Sequence, residues 1–157
     1  MQAGALWTAY QLKNQTPVEL FPGVKHTIDQ IHLPQGICSQ NSSENIRQVL
    51  TRHKLLKKFN AIIGYDDIPA TAQKPSPISG IKCIANIFGN TANKTIIYIG
   101  DHEGDVQFAR NIENETGQCN TVISIVVTYS GADTRSWTFK PDYEISSPAE
   151  LLNIISS

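Results

Sequence analysis

Two carboxylates, Asp101 and Asp105, close the apolar run in the stretch TIIYIGDHEGDVQFAR, residues 95 to 110. Acids at the mouth of a buried strand suit a hard cation. Mg²⁺ takes oxygen ligands, uses few from the protein and keeps waters that a phosphate can replace. Two other segments carry matching groups. GICSQNS places the Ser39 hydroxyl, Gln40 and Asn41 at the end of another apolar run, and KPSP offers the Lys74 ammonium. A lysine neutralises phosphate charge, while a hydroxyl and helix N-terminal amides hold phosphate oxygens. Ser39, Lys74, Asp101 and Asp105 therefore suit phosphoryl transfer. Singly, each has a plainer reading: a strand-end hydroxyl, a surface lysine in a proline turn, a helix-start acid favoured by the dipole. Their joint order and their strand-end placement favour the chemistry.

The elements that must position these groups alternate. Val24, Ile28 and Ile31 recur at helical spacing up to Leu33-Pro34. QGICSQ reads as a short strand, and Asn41 as the cap of a helix that turns Ile46, Val49 and Leu50 inward. Ala61 to Gly64 is a second strand. Ser76 and Pro77 open a helix expected to bury Ile81, Ile84, Ala85 and Phe88. KTIIYIGD is a third strand, Asp105 to Asn114 a helix, NTVISIVVTYSG a fourth strand and YEIS a fifth. Ser147-Pro148-Ala149-Glu150 forms a capping box before the last helix. Residues 2 to 13 read as a helix at the start. Near-continuous apolar strands alternating with helices predict a doubly wound α/β fold whose strands are buried on both faces. In such folds ligands bind beyond the carboxyl ends of the strands, where the candidate groups stand.

Composition sets the outer bounds. A chain of 157 residues, 40% hydrophobic and 17% charged, is of ordinary globular type. Its net charge of −1 gives no field that would draw nucleic acid or an anionic membrane, so neither is expected as a partner. No apolar run approaches the ~20 residues of a membrane span. The start, MQAGALWTAYQ, lacks the features of a signal peptide. Cys38, Cys83 and Cys119 are an odd count without metal-type spacing, which fits a reducing cytoplasm.

GICSQNS, KPSP and YIGDHEGD resemble motifs II, III and IV of the haloacid dehalogenase-like hydrolases, closest to the phosphoglycolate-phosphatase-like branch. ELFPGVKHTIDQI resembles the segment leading from the family's cap domain back to its core, and KPDYEISSPAELLNII its closing strand and helix. The resemblance covers about residues 17 to 156. It implies a Rossmann-like three-layer sandwich with a mostly parallel sheet, and a Mg²⁺-dependent phosphatase acting on a small phosphorylated metabolite. Carried over, Ser39 and the Gln40 amide hold the transferring phosphoryl group, with Asn41 a lesser candidate. Lys74 offsets charge on phosphate and nucleophile. Asp101 binds Mg²⁺, and Asp105 supports it directly or through water. His102 receives no role.

The family's nucleophile is a motif I aspartate, in Asp-x-Asp-Gly-Thr/Val, which forms an aspartyl-phosphate. No Asp-x-Asp occurs in these 157 residues; Asp66-Asp67 has the wrong spacing. The resemblance therefore reads residues 1–16 as a remnant of a cap helix and residues 17–157 as the C-terminal part of a core without its first, central strand. That leaves an inactive chain whose open strands pair with each other, self-associate or await a complementing N-terminal fragment. Two other readings compete: a non-catalytic phosphate- or metal-binding module, and a receiver-type signalling domain. The receiver places its acids before its hydroxyl and lysine, and the order here is the reverse.

Overall fold

The computed structural model describes residues 18–157. The helix expected over residues 2 to 13, and with it the cap remnant assigned to residues 1–16, lies outside the described residues. The chain runs α1 (Val24–Gln30), β1 (Gly36–Cys38), α2 (Ser43–Arg52), β2 (Ala61–Ile63) and α3 (Ile78–Phe88). It continues through β3 (Thr95–Gly100), α4 (Glu103–Glu115), β4 (Thr121–Val127), β5 (Tyr143–Ile145) and α5 (Glu150–Ser156). The strands sit where the apolar runs fall. All paired strands are parallel, which fits the helices that intervene between β1 and β2 and between β3 and β4; β4 leads to β5 through an irregular connection.

Helices cover both faces. On one, α3 and α4 bring Ile84, Phe108, Ala109 and Ile112 onto Val122 of β4, with Cys38 of β1 and Tyr98 of β3 packed against the same cluster. On the other, Ile46 and Leu50 of α2 pack with Ile62, Ile37 and Ile28, while Leu151 of α5 packs with Ile125, Ile145, Ile97 and Ile31. The α1 segment thus reaches both clusters, through Ile28 and Ile31. This is the expected α/β class in three layers.

The strands nevertheless form two sheets. β1 pairs with β2, and β3, β4 and β5 form a separate three-stranded sheet. Among the described residues no strand lies between β1 and β3. Burial follows this division. All of β2 is buried and β4 nearly so, whereas β1 and β3 contain no buried residue, and Ile99 is 40% exposed. The expectation that every strand is covered on both faces therefore fails for β1 and β3, and for β5, where Tyr143 and Glu144 are exposed. Of the alternatives offered for β1 and β3, direct pairing with each other does not occur. The helices above them divide in the same way. α3 rests on β1 and β2, α4 on β3 and β4. The two helices already touch at Gly80, where an added Cβ would stand 2.4 Å from Ile112 Cδ1 and 3.0 Å from Phe108 Cζ. That contact limits how much nearer the two helices can come.

Smaller differences follow from tertiary packing. Ser42, not Asn41, caps α2 by accepting the Asn45 N–H at 3.2 Å, while Asn41 Oδ1 accepts the Ser42 N–H. The buried face of α3 is Ser79, Gly80, Cys83 and Ile84. Ile81 and Ala85 are half-buried, and Phe88 is 43% exposed, with the Lys94 ammonium 5.0 Å from its ring centre. The turn before α5 keeps half of the expected capping box: the Glu150 carboxylate accepts the Ser147 N–H at 3.0 Å. No described helix is long and apolar enough to cross a membrane.

Candidate active site

The loops after β1 and β3 and the segment leading into α3 meet at one cleft of about 280 Å³. Ser39, Gln40 and Asn41 line one side, Lys74 and Pro75 the floor, and Asp101, His102, Gly104 and Asp105 the other side. All six residues expected at a site come together here, from three separate loops. A larger hollow of about 680 Å³ runs along α2, but every residue lining it belongs to that helix, so it is a surface groove without converging groups.

Short-range chemistry shapes each wall. Ser39 continues β1 by donating its N–H to Ile63 O at 3.0 Å. Its Oγ accepts the Asn41 N–H at 3.1 Å, which leaves the hydroxyl proton for a ligand. Around it, Ser42 N–H binds Asn41 Oδ1 and Ser43 N–H binds Asp66 Oδ1. Among the described residues the Gln40 N–H has no such partner, so it is the amide of this turn left to the cleft.

Lys74 reaches the cleft through two 3₁₀ turns, Tyr65–Asp67 and Ala70–Ala72. The Lys74–Pro75 peptide is cis, and Asn111 Nδ2 of α4 donates to Pro75 O at 2.9 Å, tying the segment to the helix. The Lys74 ammonium donates to Asp105 Oδ1 at 2.8 Å and to Tyr98 Oη at 2.9 Å.

Asp105 is fully engaged. Its Oδ1 takes Lys74 and, at 3.3 Å, the Tyr98 hydroxyl; its Oδ2 accepts the Asp101 and His102 N–H groups, both at 3.1 Å. Burial pushes its carboxyl up, but the Lys74 hydrogen bond and charge and the two backbone donors outweigh that and hold it below the ordinary aspartate value. Asp101 differs. It is exposed, and among the described residues its carboxylate has no hydrogen-bond or ion-pair partner. Asp105 thus reads as the acid that fixes the Gly100-Asp101-His102 turn, and Asp101 as the acid presented to the cleft. Among the described residues no three metal-ligating side chains cluster. Mg²⁺ fits this donor set as a cation that takes one or two carboxylates and keeps its waters.

Two consequences are measurable. Gly100 leaves room for Asp105, since a Cβ there would lie 2.4 Å from Asp105 Cβ, Cγ and Oδ2. The Asp105 Cβ cannot swing aside, so Gly100→Ala should destabilise the chain by about 1–3 kcal/mol. Urea unfolding checks this; an unchanged midpoint would show that the turn relaxes freely. The second concerns acid. The unfolded chain binds the Asp105 proton more readily than the folded one, so this contribution to stability is fully present above the ordinary value of 3.8. It is lost as pH falls from there through the lower folded value. The urea midpoint of wild type should therefore drop more steeply below about pH 4 than that of Asp105→Asn. Equal slopes would contradict it.

Relatives identify the family. The family model for haloacid dehalogenase-like hydrolases matches residues 3–117. The chain belongs to that family. It is 27% identical over 109 residues to a phosphoglycolate phosphatase of Cereibacter sphaeroides, a match covering 68% of this chain and 47% of the relative. It spans about half the length of the curated relatives it matches. In fold it is similar to a haloacid dehalogenase-like protein from Agrobacterium tumefaciens, with TM-score 0.72 and 22% identity, covering 99% of this chain and 70% of that one. It is similar also to a predicted phosphoglycolate phosphatase from Haemophilus somnus, with TM-score 0.71 and 20% identity, covering 93% and 61%. Within this hydrolase core, Tyr98 is the site residue that the sequence did not mark. A tyrosine inside an apolar run reads as core. Its period-2 position with Ile96, on the face that α4 covers, was the available signal.

Proposed function

We propose that this chain supplies the phosphate- and cation-holding part of a Mg²⁺-dependent phosphomonoester phosphatase acting on a small phosphorylated metabolite. The observation that carries this reading is the convergence of Ser39, Gln40, Lys74 and Asp101 on one cleft, each with a donor or carboxylate to spare. The Ser39 hydroxyl and the Gln40 N–H donate to phosphoryl oxygens. Lys74 offsets the charge that builds on the phosphoryl group and on an attacking carboxylate. Asp105 holds both Lys74 and the Asp101 backbone, and so keeps the two charges at a fixed separation. Asp101, joined by a carboxylate from the attacking segment, would hold Mg²⁺, which supplies charge neutralisation for in-line transfer.

The nucleophile belongs to a segment outside these 157 residues. Its carboxylate attacks phosphorus, the ester oxygen leaves with a proton from a neighbouring acid, and water then hydrolyses the aspartyl-phosphate. The absence of Asp-x-Asp also supports a second reading, a phosphate-binding module without turnover. Both expect the isolated chain to bind phosphate. Inorganic phosphate with Mg²⁺ should shift the amide resonances of Ser39, Gln40 and Gly104, and Asp101→Asn should remove the Mg²⁺ dependence. Saturating phosphate that leaves these amides unmoved would sink both.

A further inference from the structure

The Lys74 ammonium is held by more than its ion pair. An ammonium has three N–H groups. One goes to Asp105 Oδ1 at 2.8 Å and a second to Tyr98 Oη at 2.9 Å. The Tyr98 hydroxyl in turn donates its proton to Asp105 Oδ1 at 3.3 Å, so the three groups close a ring. Burial, then the Asp105 carboxylate, push the Tyr98 hydroxyl well above its ordinary value, so it stays protonated and remains a donor. The ammonium also stands 5.5 Å from the ring centres of both Tyr98 and Phe108. Phe108 is fully buried and meets Tyr98 edge-on at 4.8 Å and 63°, which fixes the tyrosine.

We propose that Tyr98 is a positioning residue for the phosphate-side lysine: with Asp105 it fixes two ammonium N–H groups, leaving the third for a phosphoryl oxygen in the cleft. This deepens the phosphatase reading and rests on it only for the identity of the ligand. A single carboxylate would let the ammonium turn about one contact. A second, neutral acceptor fixes its direction without cancelling its charge. Freezing the direction before the ligand arrives removes an ordering penalty from binding.

Tyr98→Phe tests this, because it keeps the ring, the contact with Phe108 and the cation–π geometry, and removes only the oxygen. Two readouts on the 157-residue chain separate the outcomes. The first is proton exchange of the Lys74 ammonium, followed by ¹⁵N NMR and assigned by its loss in Lys74→Arg. It should exchange more slowly than exposed Lys25 in wild type, and severalfold faster in Tyr98→Phe than in wild type. The second is titration with inorganic phosphate, which should bind about tenfold more weakly in Tyr98→Phe, the scale of one hydrogen bond to a charged group. A merely structural tyrosine would lower the unfolding midpoint and leave both readouts in place. An unchanged ammonium in folded Tyr98→Phe overturns the proposal. Should that variant fail to fold, a wild-type Lys74 exchanging as fast as Lys25 overturns it equally. Faster ammonium exchange in the variant, with no phosphate binding even in wild type, upholds the positioning role and removes the phosphatase reading instead.

Discussion

The 157 residues alone should hydrolyse no phosphomonoester at an enzymic rate, and a fragment carrying an Asp-x-Asp strand, supplied in trans, should switch hydrolysis on. Among the described residues two carboxylates line the cleft, those of Asp101 and Asp105. Asp105 has both oxygens on protein donors, and moving it to attack phosphorus would break four hydrogen bonds, one of them charged. Asp101 is unengaged but belongs to the cation side, and a carboxylate that holds Mg²⁺ is a poor nucleophile. What remains is binding and charge neutralisation, with no group to form the acyl phosphate. Phosphate monoesters hydrolyse extremely slowly without catalysis, whereas typical turnover is ~1–10³ s⁻¹, so the two outcomes differ by many orders of magnitude. The assay uses an aryl phosphate, Mg²⁺ and purified chain, with and without the fragment. Turnover near 1 s⁻¹ by the chain alone, abolished in Asp101→Asn, would mean that another residue of this chain attacks phosphorus. Restored turnover that survives Lys74→Ala would remove Lys74 from the mechanism.

The legible parts of this molecule were the local ones. Each apolar run became a strand, because a run such as TIIYIG between turn-forming residues has few other ways to bury itself. The Gly-Asp turn, the Lys-Pro segment and the Ser39 turn were legible because strand ends in a parallel α/β fold share one rim. What stayed hidden was tertiary. The ring joining Tyr98, Lys74 and Asp105 spans 31 residues of sequence between its two charged members, and no local spacing encodes it. The plainer reading of Asp105, an acid at the start of a helix, is part of its work: it accepts the His102 N–H from within the first turn of α4. Phe88 was expected inside because it keeps the helical period from Ile81 and Ile84. It is the last residue of α3 and stands 43% exposed, with the Lys94 ammonium over its ring. The separation of β1 from β3 could not be read from either strand, because it depends on how distant elements pack, the contact of α3 with α4 at Gly80 among them.

That separation leads to the second large effect: the isolated chain should self-associate through the inner edges of β1 and β3. Water entering between the two half-sheets can satisfy their backbone donors and acceptors, so open hydrogen bonds alone do not force association. The apolar side chains do. Both inner strands are partly uncovered along their length, and Ile99 is 40% exposed at the carboxyl end of β3, beside the cleft. Covering the exposed share of such an isoleucine is worth on the order of 1 kcal/mol, and an added strand would cover several such side chains while completing two ladders. A three-residue edge such as β1 is a weak template, but the six residues of β3 are long enough to recruit a partner. Sedimentation should therefore show mass rising with concentration above that of one chain. Ile99→Lys, which places a charge on the open edge without touching Lys74 or Asp105, should return the chain to monomer. An Asp-x-Asp fragment should do the same by occupying the edge. The two treatments differ in one respect: only the fragment should also protect the β3 amides from hydrogen exchange, because only it supplies ladder partners. A chain that stays monomeric at high concentration, with the β3 amides exchanging as fast as loop amides, would show that the half-sheets are stable with water between them and that the slot recruits nothing.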